Sequence, residues 1–232
     1  MPTISLFSLV LAVTPTALII WIAIQWAGAG AEMIYATVRM VVQLLLIGFA
    51  LVYIFETENA LVGLAVVAVM ILVSAWISIR VIEHDRRRAF GRAVISLGLA
   101  GGLVLVFVLF VVLRISEPWY QPRLIIPIAG MIFSSAMTAI TLAAERFGRE
   151  RAAGTSYVEA RKAAWTAALI PQINALLAVG LVSLPGMMTG QILSGVDPLI
   201  AVRYQIVVMA MILQSSGLSV AIFLVMSKTE NI

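Results

Sequence analysis

Cysteine is absent from this 232-residue chain, and histidine occurs once, at His84. Without cysteine no disulfide, thiolate metal site or cysteine nucleophile can form. Lysine is nearly missing too. Lys162 and Lys228 are the only ones, and neither falls in the last apolar run, so a retinal Schiff base in a seven-helix bundle is excluded. Charged residues make up 11% of the chain, against about 25% in globular proteins, which leaves little sequence for a soluble domain. No HExxH, no glycine-rich phosphate loop with its lysine and no GxSxG elbow occurs. The chain therefore has no P-loop of its own for ATP hydrolysis, and nothing in it reads as a catalytic residue. His84 sits between Glu83 and Asp85, just ahead of Arg86, Arg87 and Arg88, which favours a solvated charge cluster over a metal site.

What is present is apolar: 62% of the residues, gathered into long runs. Runs of 18 or more apolar residues mark membrane-spanning helices. The pattern predicts an all-α integral membrane protein, one polytopic domain over residues 1–232 with about seven spans. The expected spans are 4–26, 38–55, 60–79, 94–113, 124–143, 165–184 and 204–226, with loops at about 80–93 and 144–164. Those loops hold Arg80, Arg86, Arg87, Arg88 and Arg92, then Arg146, Arg149, Arg151, Arg161 and Lys162; Arg39 and Lys228 join them on the same side. The other side has Arg114, Arg123 and Arg203, beside Glu56, Glu58, Glu117, Pro118, Trp119 and Tyr120. The excess of cations on cytoplasmic loops then predicts an outside N-terminus and a cytoplasmic C-terminus in the inner membrane. Because the cations flank spans, the net charge of +4 is no nucleic-acid footprint. The first span has no basic flank ahead of it and no clear small-residue cleavage site, which argues against a secretory signal. No internal duplication is visible, so an inverted-repeat carrier is not favoured.

Polar residues within spans are costly and tend to face a bundle interior or a water-filled path. Arg39 and Gln43 lie four apart on one helix face; Arg39 can equally snorkel to the surface. Thr14-Pro15 and Pro171 should kink their helices, and Gln172 and Asn174 accompany Pro171. Gln205, Gln214, Ser215 and Ser216 lie on the last span. Interhelical hydrogen bonding and cavity lining are both open to these groups. The tract SLPGMMTGQILSGVDPLIAVRYQI at 183–206 sets proline, glycine and polar residues between two apolar spans. Irregular backbone at membrane depth must be buried in protein or line a cavity. Pro185-Gly186 should end the sixth helix, and Thr189, Gly190 and Gln191 should begin a short helical or re-entrant piece. Gly195 and Asp197-Pro198 should close it, with Asp197 an N-cap rather than a metal ligand. Arg203 is placed to pair with Asp197 or to mark the outer water boundary. Met187 and Met188 offer soft side chains, as packing filler or as transient contacts. With one loop histidine, no cysteine and few acids in the spans, no high-affinity metal site is expected.

This tract, together with RMVVQLLLIGFAL at 39–51, PIAGMIFSSAMTAITLAAER at 127–146 and AALIPQINALLAVGLVSLPGMMTGQILSGVDPLIAVRYQI at 167–206, resembles the FetB-type ABC permease family. That family comprises bacterial iron-export permeases and plant aluminium-resistance relatives. The resemblance implies a homodimeric permease that binds no cofactor itself and pairs with a cytoplasmic ATPase, which carries the ATP and Mg. It exports iron or a related small solute; the plant relatives leave a sugar open as well. Arg39, Gln43, Pro171, Gln172, Asn174, Met187, Met188, Thr189, Gln191, Asp197 and Gln205 would shape the substrate path. Glu145, Arg146, Arg149, Arg151, Glu159 and Arg161 would receive the ATPase. The chain departs from the family in its loop. ERFGRERAAGTSYVEARKAAW lacks the longer segment with an LGAT-like motif, and Glu159-Ala160 is at best a remnant. That difference keeps two rivals open: an ATP-independent channel or carrier, and a membrane scaffold.

Overall fold

The computed structural model describes residues 5–56, 59–83, 85–116 and 120–228. His84, Glu58, Glu117, Pro118 and Trp119 lie outside the described residues. Among the described residues every regular element is helical, and the one β-bridge joins Val179 and Ser183. The chain divides into two compact units, Met1–Glu56 and Thr57–Ile232.

In the first unit, α1 (Leu6–Val13) and α2 (Thr16–Ala27) are the two halves of one span interrupted at Thr14-Pro15. Proline removes a backbone donor there, and the Thr14 hydroxyl donates to the Val10 carbonyl at 2.9 Å. The chain then turns back at Gly28 into α3 (Gly30–Glu56), which packs on α2.

The second unit holds α4 (Ala60–Ser78), α5 (Arg86–Ser96), α6 (Gly102–Val106), α7 (Pro122–Ala152), α8 (Tyr157–Ala178), α9 (Gly186–Leu193) and α10 (Pro198–Met226). α5 and α6 belong to one helix, Arg86–Val112, widened into π-turns at Leu97–Gly101 and Phe107–Val112. α7 lies at the centre, in contact with α4, α8 and α10. Its inward face alternates large side chains such as Ile132, Phe133 and Ile140 with small ones: Ala129, Ala136, Ala139 and Ala143 are fully buried. α8 answers with Ala160, Ala164 and Ala168, spaced four apart and also fully buried. Lipid supplies no hydrophobic drive between spans, so close backbone approach through small residues holds such helices together. Gly101 serves the same end. A Cβ there would lie 2.5 Å from the Phe133 ring of α7.

Six helices are long and apolar enough to cross a membrane: Phe7–Ala27, Gly30–Glu56, Ala60–Ser78, Arg86–Val112, Pro122–Ala152 and Pro198–Met226. The seventh expected span, 165–184, is α8, whose polar residues keep it out of that group. The expected loops are also mostly helix. The 144–164 segment shrinks to a turn at 153–156, and the 80–93 segment to the stretch before Arg86. Helix continues past the apolar stretch because its backbone bonds need no apolar side chains, and i,i+4 ion pairs support the charged turns. Arg92 moves furthest from its expected place in a loop. It is buried and donates to the Ser227 hydroxyl at 3.2 Å.

Candidate functional site

The polar tract begins where α8 stops. Pro185 does not end that helix; Ala178 does, and the chain folds over itself at once. The Ala178 carbonyl accepts from Val182 N at 2.8 Å, and Gly180 N donates to the Ser183 carbonyl at 2.9 Å. α9 follows as the expected short helical piece. Ser194 Oγ donates to the Gly190 carbonyl at 2.8 Å, and Val196 N donates to the Gln191 carbonyl at 3.0 Å. Gly195 closes the piece with φ +90, a conformation that side chains with a Cβ resist. Asp197 then caps α10, accepting from Leu199 N at 2.8 Å. Much of the irregular backbone is thereby satisfied within the tract itself.

Three glutamines behave differently. Gln172 of α8, Gln191 of α9 and Gln205 of α10 each hold a buried amide oxygen with no hydrogen-bond partner within the protein. A buried acceptor left unpaired costs about 1–3 kcal/mol. These oxygens are neutral acceptors, suited to a solute donor, water or a cation. Met187, Met188 and Thr189 are half-buried beside Gln191 on α9, and Met187 packs against the core. Pro171 and Asn174 share α8 with Gln172 but are exposed, so they are not gathered with it. Pro171 sits within continuous helix. Asp197 and Arg203 are exposed, and among the described residues they make no ion pair with each other. In the first unit, Gln43 accepts from Arg39 Nε at 3.0 Å once its amide oxygen faces the guanidinium. The shared helix face read from their spacing is therefore a direct contact. The last span's hydroxyls divide by role. Ser215 donates to the Ile132 carbonyl of α7 at 3.5 Å and to its own Ile212 carbonyl at 3.1 Å; Ser216 Oγ is buried without a partner.

The opposite end of the second unit carries charge. Arg92 meets Ser227, and Tyr157 Oη donates to the Leu224 carbonyl at 3.0 Å, so the α4–α5 turn, the α7–α8 turn and the end of α10 come together. The α7–α8 hairpin is tightly built. Arg149 pairs with Glu145, and Arg146 with Glu150 at 2.6 Å. Arg151 donates to the Thr155 carbonyl at 2.8 Å across the turn. Ser156 caps α8: its Oγ accepts from Glu159 N at 3.3 Å and donates to the Glu159 carboxylate at 2.8 Å. Arg161 lies over the Tyr157 ring. All six candidate coupling residues thus sit on one helical hairpin.

A family model described as "Uncharacterised protein family (UPF0014)" matches residues 4–231. The chain belongs to the UPF0014 family. Within it, the chain is 35% identical to the UPF0014 membrane protein slr1647 of Synechocystis, over 84% of this chain and 82% of that one. It is 30% identical to the "Probable iron export permease protein FetB" of Escherichia coli, over 82% of this chain and 78% of that one. To the Protein ALUMINUM SENSITIVE 3 of Arabidopsis thaliana it is 32% identical, covering 81% and 72%. No solved structure matches. The resemblance carried by the 167–206 segment thus holds for nearly the whole chain, and this UPF0014 member is a multi-pass membrane protein.

Some features of this UPF0014 chain have faint sequence signals. The alanine stripe of α8 is visible as Ala160, Ala164 and Ala168 once the helix is known to start at Tyr157. Pro127 lies inside α7, and nothing in its apolar surroundings marks it. The buried Ser96–Ser219 contact (Ser219 Oγ to the Ser96 carbonyl, 3.4 Å) joins residues far apart in the chain and has no local signal.

Proposed function

We propose that this chain is the permease subunit of an ABC-type exporter, moving iron or a related small solute out across the cytoplasmic membrane. The observation that carries the reading is the trio of partnerless buried amide oxygens on Gln172, Gln191 and Gln205. They lie on the three helices that frame the polar tract, in a chain related to a protein named as a probable iron export permease. Neutral oxygens can replace part of a cation's hydration shell without holding it, which suits passage rather than storage. Among the described residues no three His, Asp or Glu side chains gather, so any metal passing here would be cargo met by weak ligands. Met187, Met188 and Thr189 of α9 belong to the same path. ATP and Mg would bind a separate ATPase docking on the charged hairpin of α7 and α8, two permease chains would pair, and the N-terminus would lie outside.

The four-residue turn at 153–156 favours one alternative. With no separate coupling helix, the chain would be an ATP-independent carrier. Reconstitution with and without the co-purifying ATPase separates the two. ATP-dependent iron efflux that is lost when the ATPase is omitted is expected; flux from the chain alone would establish the carrier. Absence of ATP-dependent movement of iron would remove the substrate assignment.

A further inference from the structure

At the charged end, α8 and α10 part to form a groove of about 420 Å³. Its floor is apolar, made by Ala221, Leu224 and Val225 of α10 with Trp165 of α8, and its lip carries Arg161 and Lys162. Among the described residues no carboxylate lines it. The nearest acid along the helix, Glu159, is held by its own capping serine, Ser156. Among the described residues neither Arg161 nor Lys162 has an ion-pair partner. The lip is also fixed in place. Arg161 lies 5.5 Å above the Tyr157 ring, and the Tyr157 hydroxyl is tied to the Leu224 carbonyl of α10. Trp165, one turn further along α8, reaches across to Gly217 of α10.

The geometry points to a binding site for one anionic phospholipid of the bilayer, its phosphate between Arg161 and Lys162 and an acyl chain along Trp165, Ala221 and Val225. An apolar floor leading away from two unpaired cations matches an amphiphile with one charged head. The volume falls within the roughly 300–1,000 Å³ of ligand pockets. Tryptophan at the level where span meets charge is the usual position for a headgroup-facing ring. Basic residues beside spans attract anionic lipid. A soluble anion would leave the floor uncovered, and an acidic protein segment would have no use for it. This site is separate from the polar tract and does not need the transport assignment; it takes Arg161 from the hairpin residues offered to an ATPase and leaves Glu145, Arg146, Arg149, Arg151 and Glu159 to that role.

The full-length protein, delipidated in mild detergent, should be titrated with phosphatidylglycerol or phosphatidylcholine and examined by native mass spectrometry. One tightly retained phosphatidylglycerol is expected, favoured about thirtyfold over phosphatidylcholine by two cations at the surface. Both R161Q/K162Q, on an exposed face, and A221F, which fills the floor while leaving the charges, should lose it. Equal retention of the two lipids would overturn the site. So would retention by the double variant. Loss in R161Q/K162Q but not in A221F would also overturn it, reducing the contact to charge attraction at the surface with no acyl chain seated in the groove.

Discussion

Gln172 and Gln205 are more than nine-tenths buried, each with an amide oxygen that meets no donor in the protein. If such an oxygen were an interhelical brace, replacing it would cost stability. If it lines a solute path, replacement removes an unfavourable burial of about 1–3 kcal/mol. Gln172→Met and Gln205→Met, which keep similar volume, are therefore expected to hold or raise the melting temperature while sharply reducing flux. Thermal unfolding in detergent beside proteoliposome transport checks both halves. A lowered melting temperature would return these residues to a bracing role. That these positions are polar within apolar spans is legible in the sequence. That Gln172 faces in while Asn174, two residues on, faces out depends on how α8 is rotated, and composition holds no record of rotation.

The spacing of alanines on α8 acts at the level of the element. Ala160, Ala164 and Ala168 are fully buried on a helix that packs against α7 and α10, where small side chains let backbones approach. Ala164→Leu is expected to cost about 1–3 kcal/mol through overpacking, read as a fall in the unfolding midpoint. Ala163→Leu, at a half-buried neighbouring position, should cost less. Equal costs would mean that the stripe has no packing role. Hydropathy alone misjudges α8 at both ends. It takes the charged turn from Tyr157 to Lys162 for loop, though the Ser156 N-cap starts the helix there, and it runs on through Leu181, Val182 and Leu184, which are exposed beyond the helix end.

Across the whole molecule, basic residues from distant stretches converge on one end of the second unit, and the polar tract lies at the other. Orientation follows if that charged end is cytoplasmic. The lack of cysteine makes the test direct. A153C in the α7–α8 turn and S194C after α9 each introduce the sole thiol of the chain. In right-side-out vesicles a membrane-impermeant maleimide should label S194C and leave A153C unmodified; the reverse pattern would invert the topology. Glu145→Arg with Arg149→Glu exchanges the charges of one hairpin pair while keeping the i,i+4 contact. Loss of a co-purifying ATPase with an unchanged melting temperature is the expected result, and retention of the ATPase would move the docking surface elsewhere.

Membrane residence, an all-helical build and the family were determined by the sequence alone, because each rests on local facts: run length, a backbone that must satisfy its own hydrogen bonds in lipid, and a contiguous motif at 167–206. The Asp197 cap and the short helical piece before it were equally local. The division at Glu56, the burial of Arg92 against Ser227, the burial of the α8 alanine stripe and the groove beneath Arg161 were decided only by tertiary structure. Each depends on which faces of helices far apart in the chain come to meet. In a membrane an apolar face suits lipid and protein equally well, so hydrophobicity cannot choose between them, and close packing of small side chains makes the choice.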